Sequence, residues 1–168
     1  MNSQKSNVKP RILLVDDDPA IREMVGRVLT EEGYVVLPAA NGVEALDIAA
    51  AIEVSLVLLD LNLPVKNGWD AFEQLSRESP LLPIVIITAR PNQLFPALAS
   101  GVAALMEKPL DFPKLLQTIR SLLDESPQTR LARIVGRPSE FHYLPAPRST
   151  PSPPVPAPDA QRHSPIDE

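Results

Sequence analysis

Five short apolar runs alternate with helix-length segments along the first three quarters of this chain, and that alternation limits the fold more than any other feature. The runs are residues 11–15, 34–37, 54–59, 83–87 and 102–106. They are almost continuously apolar, as strands covered on both faces must be. Strand and helix in strict alternation make a parallel sheet with helices on both sides, an α/β fold. The intervening segments carry helix signals. Asp18 is placed as an N-cap and Pro19 at a first turn. Ile21, Met24, Val25, Val28 and Leu29 follow at helical spacing, and Gly33 ends them. Asn41-Gly42 is a turn before a small-residue helix at 43–51. Residues 69–77 form a helix with Phe72 and Leu75 inward. A weak helix at about 92–100 is interrupted by Pro96, and a last one runs from Asp111 or Phe112 to about Asp124.

The ends of the runs carry the chemistry. The first ends in Asp16-Asp17-Asp18 and the third in a lone Asp60; the fourth ends in Thr88, and Lys108-Pro109 follows the fifth. Open parallel sheets bind ligands outside the carboxyl ends of their strands. Carboxylates gathered there repel by roughly 4 kcal/mol at an effective dielectric near 20. A hard divalent cation with oxygen ligands, Mg²⁺, is the natural occupant. A carboxylate beside it can attack phosphorus and form an aspartyl phosphate. Lys108 would supply a second cation and Thr88 a hydrogen bond, and phosphoryl transfer depends mainly on such positioning and charge.

Composition narrows the classes. The formal charge of −5 lies in residues 1–124, with no basic footprint of a nucleic-acid binder. The chain has no cysteine, which excludes disulfides and thiolate chemistry. No apolar run approaches the roughly 20 residues needed to span a bilayer, and the first ten residues lack a signal-peptide core. A cytoplasmic protein with no membrane partner is expected. Ten of the 20 prolines follow Asp124. Four segments are therefore expected: a disordered 1–10, a folded domain at 11–124, a helical or docking extension at 125–144, and a disordered proline-rich tail at 145–168.

Taken together, ILLVDDDP, LVLLDLNLPVKNG, IVIITAR and Lys108-Pro109, in this order and spacing, resemble the response-regulator receiver domain of two-component signalling, from about Arg11 to Leu123. The resemblance implies a flavodoxin-like (βα)5 doubly wound sheet with strand order 2-1-3-4-5. It implies Asp60 as phospho-acceptor for a histidine kinase or phosphotransfer protein. It implies Asp17, Asp60 and the Asn62 backbone carbonyl as Mg²⁺ ligands, with Asp16 acting mainly through water. Thr88 and Lys108 would sense the phosphoryl group, and the Lys108–Pro109 peptide would be cis. Self-phosphorylation and slow autodephosphorylation, without turnover of free substrates, complete the implied chemistry. A homodimer through the face of the fourth helix, fifth strand and fifth helix is open.

Two departures stand out. Leu105 occupies the switch position, where the family often has Tyr or Phe. The segment between Thr88 and Lys108 is about two residues short and carries Pro91 and Pro96. The alternative is therefore a receiver-like interaction module indifferent to phosphorylation. A Mg²⁺-dependent phosphohydrolase would usually place a second acid two residues after the nucleophile; here that residue is Asn62. The 44 residues after Asp124 are expected to be too few for a DNA-binding or effector domain, so output should pass through contacts with a downstream protein. Arg130, Arg133 and Arg137 are expected to form a solvated face, His142 and His163 to be surface residues, and the PxxP pattern at 151–156 to arise by chance.

Overall fold

The computed structural model describes residues 8–65, 67–90, 92–136 and 141–147. Its strands are β1 (Arg11–Val15), β2 (Val35–Ala39), β3 (Leu56–Asp60), β4 (Ile84–Thr88), β5 (Ala104–Glu107) and β6 (His142–Leu144). Its helices are α1 (Pro19–Glu31), α2 (Gly42–Ala51), α3 (Gly68–Glu78), α4 (Leu94–Ser100), α5 (Phe112–Asp124) and α6 (Pro127–Ile134). The strands form one parallel sheet in the order β2-β1-β3-β4-β5-β6. This is the flavodoxin-like order 2-1-3-4-5, extended by one strand.

The sheet separates two apolar layers. Leu13, Val15, Leu59 and Leu105 face one layer with Ala45, Phe72, Leu75 and Ala97. Ile12, Leu14, Leu58 and Met106 face the other with Val25, Leu29, Leu115, Ile119 and Leu122. Side chains of period two on a strand must alternate between faces. All five residues of β3 and of β4 are buried, which accounts for their continuous apolar sequence. On α5, Leu115, Ile119 and Leu122 recur at helical spacing, and each buried side chain contributes about 1.5–3 kcal/mol. The caps follow the sequence. Asp18 accepts from Ala20 N (2.9 Å), Asn41 from Glu44 N (2.9 Å) and Asp111 from Lys114 N (3.2 Å).

Beyond Asp124 the expected helical or docking extension contains a strand as well. The extension is a helix followed by a strand, and β6 pairs in parallel with β5. Three residues ringed by prolines give no periodic signal, because edge pairing is decided by a distant strand. Order continues past the expected boundary at 145, since Ala146 N donates to Glu107 Oε2 (3.1 Å). Arg130 and Arg133 are not a solvated face. Arg133 is buried and ion-paired with Glu125. Arg130 donates to Leu122 O (3.1 Å), one of the last carbonyls of α5, where a cation is favoured. His142 is a half-buried residue of the edge strand, with its Nε2 covered. The expectations for residues 1–7, Arg137, His163, the PxxP pattern and the tail from 148 lie outside the described residues.

Gly68 opens α3 hard against the end of β3. A Cβ there would lie 2.4 Å from Leu61 Cα and 2.6 Å from the Asp60 carbonyl oxygen. Both neighbours are backbone and cannot swing aside. Gly68→Ala should therefore cost about 3 kcal/mol or more, with the midpoint of urea denaturation as the readout. A loss under about 1 kcal/mol would show that this loop yields freely.

Candidate functional site

The register of the sheet brings the polar strand ends together. Val15 pairs with Leu59, so Asp16 follows beside Asp60. Asp60 pairs with Ile87, which places Thr88 one step further along β4. Thr88 pairs with Glu107, and Lys108 comes next. Lys108 N donates back to Thr88 O at 2.9 Å, which closes the ladder at its end.

Lys108 is the centre of the cluster. Its Nζ donates to Asp16 Oδ2 and to Asp60 Oδ2, each at 3.0 Å. Both carboxylates are almost fully buried, at 3% and 4% exposure. Each has its second oxygen satisfied by a backbone N–H two residues on. Asp18 N donates to Asp16 Oδ1 and Asn62 N to Asp60 Oδ1, both at 2.9 Å. Burial by itself would lower the Lys108 ammonium. The hydrogen bonds and charges of Asp60 and Asp16 outweigh it and hold Lys108 above the ordinary lysine value.

Asp17 completes the acidic group from the exposed side. Asp16, Asp17 and Asp60 each offer a carboxylate oxygen, and these atoms lie within 4.8 Å of one another. An all-oxygen, anionic set of this kind suits a hard divalent cation rather than a soft metal. Thr88 is completely buried, and its Oγ1 accepts from Arg90 N at 2.9 Å. Arg90 then reaches over the loops, with Nη2 donating to Asn62 Oδ1 at 3.1 Å. The Lys108–Pro109 peptide is cis.

The model of the response regulator receiver domain matches residues 12–120. This chain belongs to that family. Response regulator MprA of Mycobacterium sp. strain KMS is 38% identical over 126 residues, which are 71% of this chain and 55% of MprA. Transcriptional regulatory protein GlrR of Escherichia coli K12 is 34% identical over 123 residues, 72% of this chain and 28% of GlrR. The chain thus spans from about a quarter to about half the length of these relatives. A CheY-like receiver domain protein from Methanospirillum hungatei superposes with a TM-score of 0.66 at 32% identity, covering 70% of this chain and 95% of that one. The receiver TrrA from Thermotoga maritima, solved with Mg²⁺ and beryllofluoride, superposes with a TM-score of 0.63 at 30% identity, covering 67% and 98%.

In this receiver, Asp16, Asp17, Asp60, Thr88 and Lys108 all lie at one end of the sheet. Leu105 lies apart from them, fully buried in the core and paired with Ile86 on one side and Tyr143 on the other. Sequence reasoning missed two contributors. Arg22, one turn into α1, donates to Asp16 O at 2.7 Å and steadies the first acidic loop. The Arg90–Asn62 bridge joins two loops that are 28 residues apart. No local pattern marks either contact, since each depends on how two loops meet.

Lys108→Met removes the only cation bonded to both buried carboxylates among the described residues. We expect a loss of about 2 kcal/mol at neutral pH, below the full value for a buried pair because Lys108 retains 23% side-chain exposure. The folded value of Lys108 is raised. Its contribution is therefore complete below the unfolded lysine value of about 10.4 and lost as pH climbs through the folded one. The stability gap between parent and variant, from urea denaturation, should accordingly stay constant between about pH 7 and pH 9. A gap that vanishes in that range would contradict the ion-pair account.

Proposed function

We propose that this receiver accepts a phosphoryl group on Asp60 from a phosphohistidine of a histidine kinase or phosphotransfer protein, with Mg²⁺, and signals through protein contacts. The observation that carries this reading is the Asp60 carboxylate itself. It ends a buried strand, bonded to Lys108 and within ligand distance of Asp16 and Asp17. A carboxylate oxygen of Asp60 attacks phosphorus, the phosphorus–nitrogen bond breaks, and the released imidazole takes up a proton.

Asp16, Asp17, Asp60 and the Asn62 carbonyl would hold the metal. Bound there, Mg²⁺ neutralises part of the charge on the phosphoryl oxygens. Lys108 turns toward the new group and donates to it. The Thr88 hydroxyl donates as well, since its oxygen accepts from Arg90 and its proton is available. Water later attacks phosphorus and releases inorganic phosphate. That step is slow because the position two residues after Asp60 is an amide, and Asn62 cannot act as a general acid or base. For the same reason we do not assign turnover of free phosphate esters.

One observation favours a second reading, a receiver-like module that binds partners whatever the state of Asp60. Leu105 is fully buried between two strands and has no ring to swing between two positions. Partner binding unchanged by Asp60→Ala would select that reading.

Intact mass after incubation with acetyl phosphate and Mg²⁺ tests the leading reading. The parent protein should gain one phosphoryl group. Asp60→Ala and EDTA should each abolish the gain, and Asp17→Asn should reduce it. A gain that survives Asp60→Ala would move the acceptor elsewhere and sink the proposal.

A further inference from the structure

The strand β6 lies beyond the part of the chain that the receiver family accounts for, which ends at residue 120. It occupies the open edge of β5, the edge that the expected dimer face would need. It is held lightly. Only three residues pair, and Tyr143 is 40% exposed. Phe141 and Leu144 are partly buried against the two apolar layers, but a groove of about 490 Å³, with Lys114, Gln117, Thr118 and Ser121 on its α5 side, runs between the strand and α5. The buried His142 Nε2 has no hydrogen-bond partner among the described residues, and such a group costs stability. Segments with these properties sit at the low-stability end of a fold.

Its side-chain anchor is Glu107. Tyr143 Oη donates to Glu107 Oε1 at 2.8 Å, and Ala146 N donates to Glu107 Oε2 at 3.1 Å. The bond to Glu107 also holds the Tyr143 hydroxyl above its ordinary value. Glu107 is the covalent neighbour of Lys108 and the cross-strand partner of Thr88. Those two residues are the donors that a phosphoryl group on Asp60 would draw toward itself. Glu107 is thus the residue that joins those donors to β6.

We propose that residues 141–147 are an intramolecular strap on the edge of β5, anchored by Glu107 and released when Asp60 is phosphorylated. The inference rests on the phospho-acceptor reading above. Release bares the backbone donors and acceptors of β5, a template for pairing with another strand. The dimer face is thereby closed in the unmodified chain and opened by the signal. Phosphorylation acts as a local charge event that biases a two-state element.

Hydrogen-exchange mass spectrometry on the full chain tests the strap, with intact mass read on the same sample. In protein carrying the phosphoryl group, the peptide spanning 142–146 should exchange about tenfold faster or more, while β3 stays protected. Tyr143→Phe should speed the same peptide without phosphorylation and leave the yield of phosphorylation unchanged. Phosphorylated protein with unchanged or slower exchange at 142–146 would overturn the strap and leave the acceptor reading intact. Failure to gain the phosphoryl group at all would overturn both.

Discussion

The three-way contact of Lys108 with Asp16 and Asp60 is the interaction on which the rest of this receiver depends. Two carboxylates with 3% and 4% exposure would repel each other strongly if left alone. One ammonium at 3.0 Å from each makes their burial tolerable.

That contact exists because four neighbouring strands end in register. Neighbouring parallel strands set Asp16 beside Asp60, and Thr88 and Lys108 one and two strands further on. The apolar layers above and below hold the register, since a slip of one residue would turn every buried side chain to the wrong face. Gly68 serves the same end. It lets α3 begin against the backbone of Asp60 and Leu61, which fixes the loop that supplies Asn62. The Gly68→Ala variant therefore probes the site as well as the fold.

The far edge of the sheet is governed by a different balance. Arg133 and Glu125 bury an ion pair under α6, and Arg130 caps the carbonyl end of α5. These contacts bring the chain back along the molecule and deliver β6 to β5. Leu105, the residue that departs from the family pattern, is thereby flanked on both sides by strands. Tyr143 pairs with Leu105 in register, and its hydroxyl reaches Glu107.

Much of the fold and site was legible in the residues. Continuous apolar runs, the cap at Asp18, the turn at Asn41-Gly42 and polar residues at the strand ends are local signals, and local physics places them. The acids, Thr88 and Lys108 could be assigned to one end of the sheet because parallel strands all point the same way. The rest depended on meetings between distant segments. Arg22 on the Asp16 carbonyl, Arg90 on Asn62, the buried Arg133, and the pairing of β6 with β5 leave no mark at their own positions in the chain. A charged residue reads as solvated until a partner covers it, and three residues among prolines read as tail until a strand edge offers them hydrogen bonds. By itself the sequence determined the five strands and five helices of residues 11–124 and which ends carry charge; only the tertiary structure decided how loops close over them and that a sixth strand joins the edge, because those contacts are non-local.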